Sequence, residues 1–218
     1  HGAVNVLDYK ESGVLPEALL NYIVRLGWSY GDQELFSLEE LKKIFKDGKL
    51  NNSPASFSLE KLLWFNREYF LNLETEELLK KVISESTMFK SDDYSLAVVD
   101  LVKERCSLLS EFENEGSYFF EDNVKINSQD AERILNKEGL LILDYLNLVF
   151  REIKNWDVKN IKESINKTME EKQVGMASVG KPLRLAITGR TNSASIDETC
   201  FVLGKERVLE RLKKILDN

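Results

Sequence analysis

With 218 residues, 43% hydrophobic and 31% charged, the chain has the make-up of a folded protein of one or two domains, which excludes the disordered and fibrous classes. No apolar run reaches the roughly 18 residues of a membrane helix and no secretory signal opens the chain, so no membrane partner and a cytoplasmic address are expected. The formal net charge of −7 argues against a nucleic-acid binder, but residues 1–150 hold 16 Lys and Arg against 27 Asp and Glu, whereas residues 151–218 hold 14 against 10 and are net basic.

The chain starts at His1 without a methionine, which reads as a cut piece. Leu15, Leu19, Ile23 and Leu26 then recur at helical spacing, with Pro16 near the start and Gly27 just past the end. Ser37-Leu-Glu-Glu40 has capping-box spacing and predicts a second helix over Leu38 to Phe45. Asp47-Gly48 and Asn51 to Pro54 read as turns, and Ser58 can cap a third helix through Leu71. Lys61 and Trp64 lie three apart on that helix and share a face. By its apolar neighbours alone, Trp64 reads as a core residue.

Glu74 to Ser86 is a further helical pattern, and Tyr94 to Phe112 another, with Leu96, Val99, Val102, Cys106 and Leu109 on its apolar face. Arg105 stands beside that face, where Asp100, Glu104 or a neighbour would pair with it. Ser117-Tyr-Phe-Phe120 followed by Glu121-Asp-Asn123 marks a junction. Helices are expected over Ser128 to Asn136, Gly139 to Arg151 and Asp157 to Lys172, the middle one apolar enough to be a buried hub. Gly175 breaks the run. Gly180 and Pro182 then bracket a turn and open a short helix that Gly189 closes, with Leu183, Ala186 and Ile187 inward and Arg184, Thr188 and Arg190 facing elsewhere. A small polar loop, Thr191 to Ser195, leads to an apolar return through Ile196, Cys200, Phe201 and Leu203, and Lys205 to Leu216 forms the last amphipathic helix. No strand-like alternation persists, so the fold is expected to be all-α.

Catalytic equipment is missing from this pattern. The only histidine is His1, and Glu39-Glu40, Asp92-Asp93 and Glu170-Glu171 are adjacent carboxylates of solvated faces. No GxGxxG or P-loop is present, so no catalytic residue, metal ligand or cofactor is expected in this stretch. Cys106 and Cys200, far apart and outside any CxxC cluster, read as buried free thiols. Two arginines flanking a small polar loop suit phosphate or base edges. The same residues are also compatible with ordinary surface cations, with a helical protein–protein interaction scaffold, or with a stand-alone RNA-binding module.

The segment Pro182-Leu-Arg-Leu-Ala-Ile-Thr-Gly189 resembles the Pro-Leu-Arg-x-Ala-Leu-Thr-Gly segment of bacterial glutamyl-tRNA synthetases. Leu15-Pro-Glu-Ala-Leu-Leu-Asn-Tyr22, Leu26-Gly-Trp-Ser29, Phe36-Ser-Leu-Glu-Glu-Leu41, Leu59-Glu-Lys-Leu-Leu-Trp-Phe-Asn66 and Leu203-Gly-Lys-Glu-Arg-Val-Leu209 are similar to the same family in the same order. His1-Gly2 resemble the residues that follow the family's KMSKS-type loop, so the resemblance implies that the Rossmann catalytic domain lies outside this stretch.

It further implies a stem-contact helical module over residues 1–72, then two small helical-bundle (α-helix cage) anticodon-binding domains over 73–127 and 128–218. The parent enzyme would attach glutamate to tRNA using ATP and Mg2+, with tRNA(Glu) as partner and tRNA(Gln) open as a second, and would act as a monomer. By motif, the D-stem contacts fall on Glu34, Lys61 and Trp64, and the anticodon contacts on Arg105, Arg184, Ser193 and Ile196. Arg105 stands where the family reads the third anticodon base, a task that suits the paired donors of a guanidinium. Where many members have Ser-Pro-Gly, this chain has Ser193-Ala-Ser195, without the rigid proline or the permissive glycine.

Overall fold

The computed structural model of the chain describes residues 5–28, 30–44 and 56–217, and among these the regular elements are all helical, as the sequence leads one to expect. They form two compact units, His1–Asn114 and Glu115–Asn218.

The first unit holds α1 (Val6–Glu11), α2 (Pro16–Gly27), α3 (Leu38–Ile44), α4 (Leu59–Asn72), α5 (Thr75–Glu85) and α6 (Asp93–Val102). Helix starts follow the side-chain signals. Pro16 occupies the first turn of α2, and the Ser58 hydroxyl accepts from Lys61 N to cap α4. The Ser37–Glu40 box forms as expected: Glu40 Oε2 accepts from Ser37 N at 2.7 Å and Ser37 Oγ from Glu40 N at 3.2 Å. Hydrogen bonding from the Ser37 backbone, then from the Ser37 side chain, holds the Glu40 carboxyl below the usual carboxylate range. The turns expected at Asp47-Gly48 and Asn51 to Pro54 lie outside the described residues.

α2 packs on α4 through Leu19, Tyr22, Leu62 and Phe65. Ile23 is not part of this stripe. It is 50% exposed, and Ala18 and Tyr22 take the inward positions instead, because the buried face of α2 follows the groove of α4.

The pattern over Tyr94 to Phe112 is not one helix. α6 ends at Val102, a single 3-10 turn covers Lys103–Arg105, Cys106 is extended (φ −106°, ψ 134°), and α7 begins at Glu111 and runs to Phe120. No proline or glycine causes the break. The Glu111 carboxylate accepts from Ser107 N and Leu108 N, and Asn66 Nδ2 donates to Ser107 O, so backbone groups that a helix would pair internally are claimed by side chains.

The second unit contains the end of α7, then α8 (Ser128–Ile134), α9 (Lys137–Glu152), α10 (Val158–Lys172), α11 (Met176–Thr188), α12 (Ile196–Leu203) and α13 (Lys205–Leu216). α9 is the hub expected of it: Ile142, Leu143, Leu146 and Phe150 are buried. α11 departs from expectation. It begins after Gly175, so Gly180 and Pro182 lie inside the helix and open nothing. A proline there removes one i→i−4 bond and costs about 3 kcal/mol, which the burial of Val179, Leu183, Leu185 and Ile187, each worth about 1.5–3 kcal/mol, outweighs. Thr188 likewise turns inward, donating its hydroxyl to Arg184 O at 2.7 Å.

Gly189 ends α11 as the sequence suggests, at φ +70°, and a Cβ there would stand 2.5 Å from Lys125 O, so backbone conformation and close approach both demand glycine. Cys106 and Cys200 are buried free thiols. Burial, with Asp197 adding to it and Arg184 opposing, pushes the Cys200 thiol far up, so it stays protonated.

Candidate nucleic-acid interface

Glu34, Lys61 and Trp64 meet. Lys61 Nζ lies 2.6 Å from Glu34 Oε2 and 3.8 Å from the centroid of the Trp64 ring. The i,i+3 spacing on α4 accounts for the lysine and tryptophan, while Glu34 arrives from the connection between α2 and α3. Trp64 is 37% exposed rather than core, with its ring edge-on to Phe65 at 5.0 Å. An exposed ion pair of this kind is worth about 0–1 kcal/mol, so an incoming phosphate can displace Glu34 from Lys61 at little expense. The indole offers a flat surface and one N–H.

The connection that carries Glu34 is fixed from behind by a buried amide. Asn21, at 0% exposure, donates to Glu34 O at 2.9 Å and accepts from Phe36 N at 2.8 Å. The Tyr69 hydroxyl of α4 lies 2.9 Å from Asn21 Oδ1 and 2.7 Å from Phe36 O, sharing its proton between them. Burial, with Glu17 and Glu40 adding to it, pushes the Tyr69 phenol up to about 12. Because the folded value lies above the free phenol's, this contribution to stability is intact below about pH 10 and is lost as pH rises from there towards 12. In an ultraviolet titration Tyr69 should ionise in a phase near pH 12, and Tyr69→Phe should remove that phase. A phase unchanged in Tyr69→Phe would contradict the assignment.

Arg105 closes the 3-10 turn of the first unit and is half-buried. Asp100, one of the partners expected for it beside Glu104 or a neighbour, bonds Lys103 Nζ at 2.6 Å and Thr75 Oγ1 at 2.9 Å. The Lys103 bond is the main reason the Asp100 carboxyl is held below the usual range.

The second unit gathers Arg184, Ser193 and Ile196. Arg184 donates through one terminal nitrogen to Ser193 O at 2.9 Å, Ser193 Oγ at 3.0 Å and Ala194 O at 3.2 Å. Ser193 is 5% exposed and Ile196 only 3%, so the hydroxyl and the apolar side chain are spent on the inside of the loop. Thr191, Asn192 and Ser195 form its open surface. The arginine thus does inside this molecule what a proline would do by covalent constraint: it fixes the loop's shape. Arg190, beyond Gly189, donates to Ser117 Oγ at 3.2 Å and lies 4.0 Å from Glu115 Oε1.

Sequence reasoning passed over the residues that hold these groups in place: Asn21, Asn66, Tyr69 and Arg211. An asparagine at mid-helix among apolar neighbours is the available signal, since it competes with the helix unless it bonds something else. Among the described residues no cluster of three His, Cys, Asp or Glu is placed to hold a metal.

Comparison with known proteins gives the family of the chain. A model described as anticodon binding domain matches residues 57–216, and one described as tRNA synthetases class I (E and Q), catalytic domain, matches residues 1–64. A solved glutamate tRNA ligase from Elizabethkingia meningosepticum, in complex with its amino acid, is similar at 31% identity with a TM-score of 0.84, over 96% of this chain and 42% of that one. A glutamate-tRNA synthetase from Elizabethkingia anophelis is similar at 30% identity and a TM-score of 0.80, again over 96% and 42%. The chain therefore spans about two fifths of the length of these relatives. Matched over well more than half of its residues, the chain belongs to the anticodon binding domain family.

Proposed function

We propose that this chain is the tRNA-gripping part of a glutamate–tRNA ligase, with Glu34, Lys61 and Trp64 on the D stem and Arg105, Arg184, Ser193 and Ile196 at the anticodon. The observation that carries the reading is the convergence of Glu34 with Lys61 and Trp64 of α4, the lysine 27 residues further on in sequence, into one half-open cluster of cation, indole and carboxylate. Such a cluster fits a sugar–phosphate backbone beside a base plane. At the anticodon, Arg184 and the open residues of its loop make the first contact, and Ser193 and Ile196 act by shaping that loop.

In this reading the parent works in the cytoplasm as a monomer and joins glutamate to tRNA(Glu). Activation with ATP and Mg2+ belongs to the rest of the parent's length, so this chain alone forms no aminoacyl product. Acceptance of tRNA(Gln) depends on how strictly Arg105 reads the third base.

The test is a titration of the purified chain against transcripts of tRNA(Glu), tRNA(Gln) and an unrelated tRNA at two salt concentrations. Tightest binding to tRNA(Glu) and a steep loss with salt are expected. Lys61→Ala should weaken all three by a similar factor and flatten the salt slope by about one counterion. Binding indifferent to salt, or a protein partner retained after nuclease treatment in place of tRNA, would overturn the proposal.

A further inference from the structure

Asn66 sits in α4 at 0% exposure, and its side chain bonds the backbone of two other segments. Its Oδ1 accepts from Leu15 N at 2.8 Å, and its Nδ2 donates to Gly13 O at 3.2 Å and to Ser107 O at 2.7 Å. The same two segments are stitched together beside it. Leu109 N donates to Gly13 O at 3.0 Å, and Ser110 Oγ to Ser12 O at 3.0 Å. Gly13 has φ +92°, and a Cβ on it would stand 2.6 Å from Leu109 N, so the two strands of backbone are in direct contact.

Residues 107–110 follow Arg105 after the single extended residue Cys106. They have no helix of their own, and their position is set by these anchors and by the Glu111 carboxylate. A guanidinium that discriminates a base edge must be held to within about 0.5 Å and 10–20°. A 3-10 turn followed by an extended residue cannot supply that rigidity alone. Asn66 supplies it from α4, the helix that also carries Lys61, Trp64 and Tyr69, so one element fixes both the stem cluster and the loop behind Arg105.

We propose that Asn66 is a positioning residue that sets the attitude of Arg105 relative to the Glu34–Lys61–Trp64 cluster, and thereby determines how sharply the third anticodon base is read. The proposal rests on the reading of Arg105 given above, and its consequence is specific. Disturbing Asn66 lowers discrimination between anticodons, whereas a merely structural asparagine would alter stability and bind every tRNA less well.

The experiment uses the whole chain and two tRNA(Glu) transcripts, one with the glutamate anticodon and one with only its third base changed, and reads the ratio of their Kd values. Arg105→Ala should collapse the ratio. Asn66→Asp keeps the shape but loses the donors to Gly13 O and Ser107 O, and it should lower the ratio by about tenfold, within the range of one lost bidentate base contact. Its Kd for the altered transcript should stay within about twofold of wild type. Ser110→Ala, at an exposed position, should lower the ratio in the same direction by less, and it decides the matter if Asn66→Asp does not fold. Equal weakening on both transcripts by Asn66→Asp, or an unchanged ratio in the variants that fold while Arg105→Ala collapses it, overturns the inference alone. A ratio untouched by Arg105→Ala overturns the reading of Arg105 on which it rests.

Discussion

Arg211→Met should destabilise the second unit by about 3 kcal/mol. Arg211 is 3% exposed and donates to Ile187 O, to Tyr118 O at 2.8 Å and to Glu121 O at 2.5 Å. Ile187 lies in the last turn of α11, Tyr118 in the last turn of α7 and Glu121 directly after it, so the guanidinium stands where two helices leave carbonyls without intrahelical donors. The negative ends of both helix dipoles favour a cation there.

Methionine matches the stem but leaves the buried carbonyls of Ile187 and Tyr118 unpaired at about 1–3 kcal/mol each, and the part-buried one of Glu121 as well, partly offset because a buried charge no longer has to be desolvated. Arg211→Lys should recover less than half of the loss, since a single ammonium cannot span acceptors on two helices as a planar fork does. Urea denaturation followed by circular dichroism measures both variants. A loss under about 1 kcal/mol for Arg211→Met would mean that water replaces the guanidinium and that the arginine is not a staple.

The sequence was most legible where a single side chain dictates a local outcome. Ser37 with Glu40, Ser58 and Gly189 each place a helix end through one hydrogen bond or one positive φ, and those ends stand where expected. It was least legible where tertiary burial overrides a local rule. Pro182 looks like a helix start, but the apolar side chains around it gain more by staying helical against α9 than the proline loses. Cys106 fits a helical stripe, yet a distant amide and a carboxylate draw the following backbone out of the helix.

The residues proposed to bind RNA divide in the same way. Lys61 and Trp64 share a face because of a spacing of three, which periodicity alone predicts. That Glu34 closes on them depends on Asn21 and Tyr69, whose contacts lie 13 and 48 residues apart in sequence and carry no local signature. Family resemblance named the site residues, and the physics of the pattern explains why some of them point inward. A loop without proline or glycine at Ala194 and Ser195 needs another constraint, which Arg184 supplies.

Arg184→Ala should therefore open the Thr191 to Ser195 loop and reduce affinity for a tRNA(Glu) transcript on the order of a hundredfold, the upper part of the range for a charge-assisted base contact. Cys200 provides a local reporter. It is fully buried in α12, which begins directly after the loop, and Arg184 opposes the upward shift of its thiol. Removing the arginine leaves the thiol still harder to ionise, so faster reaction with a thiol reagent can come only from access and not from thiolate fraction. Cys106, buried in the first unit, should stay unreactive and serve as the internal control. Arg184→Lys separates the two duties of the residue. An ammonium can still bond the carbonyls of Ser193 and Ala194 and should restore most of the protection of Cys200, but it lacks the planar paired donors and should leave anticodon affinity low. If Arg184→Ala leaves both Cys200 protected and the transcript bound as tightly as before, the guanidinium neither braces the loop nor meets RNA, and the anticodon site must be sought on another face of the second unit.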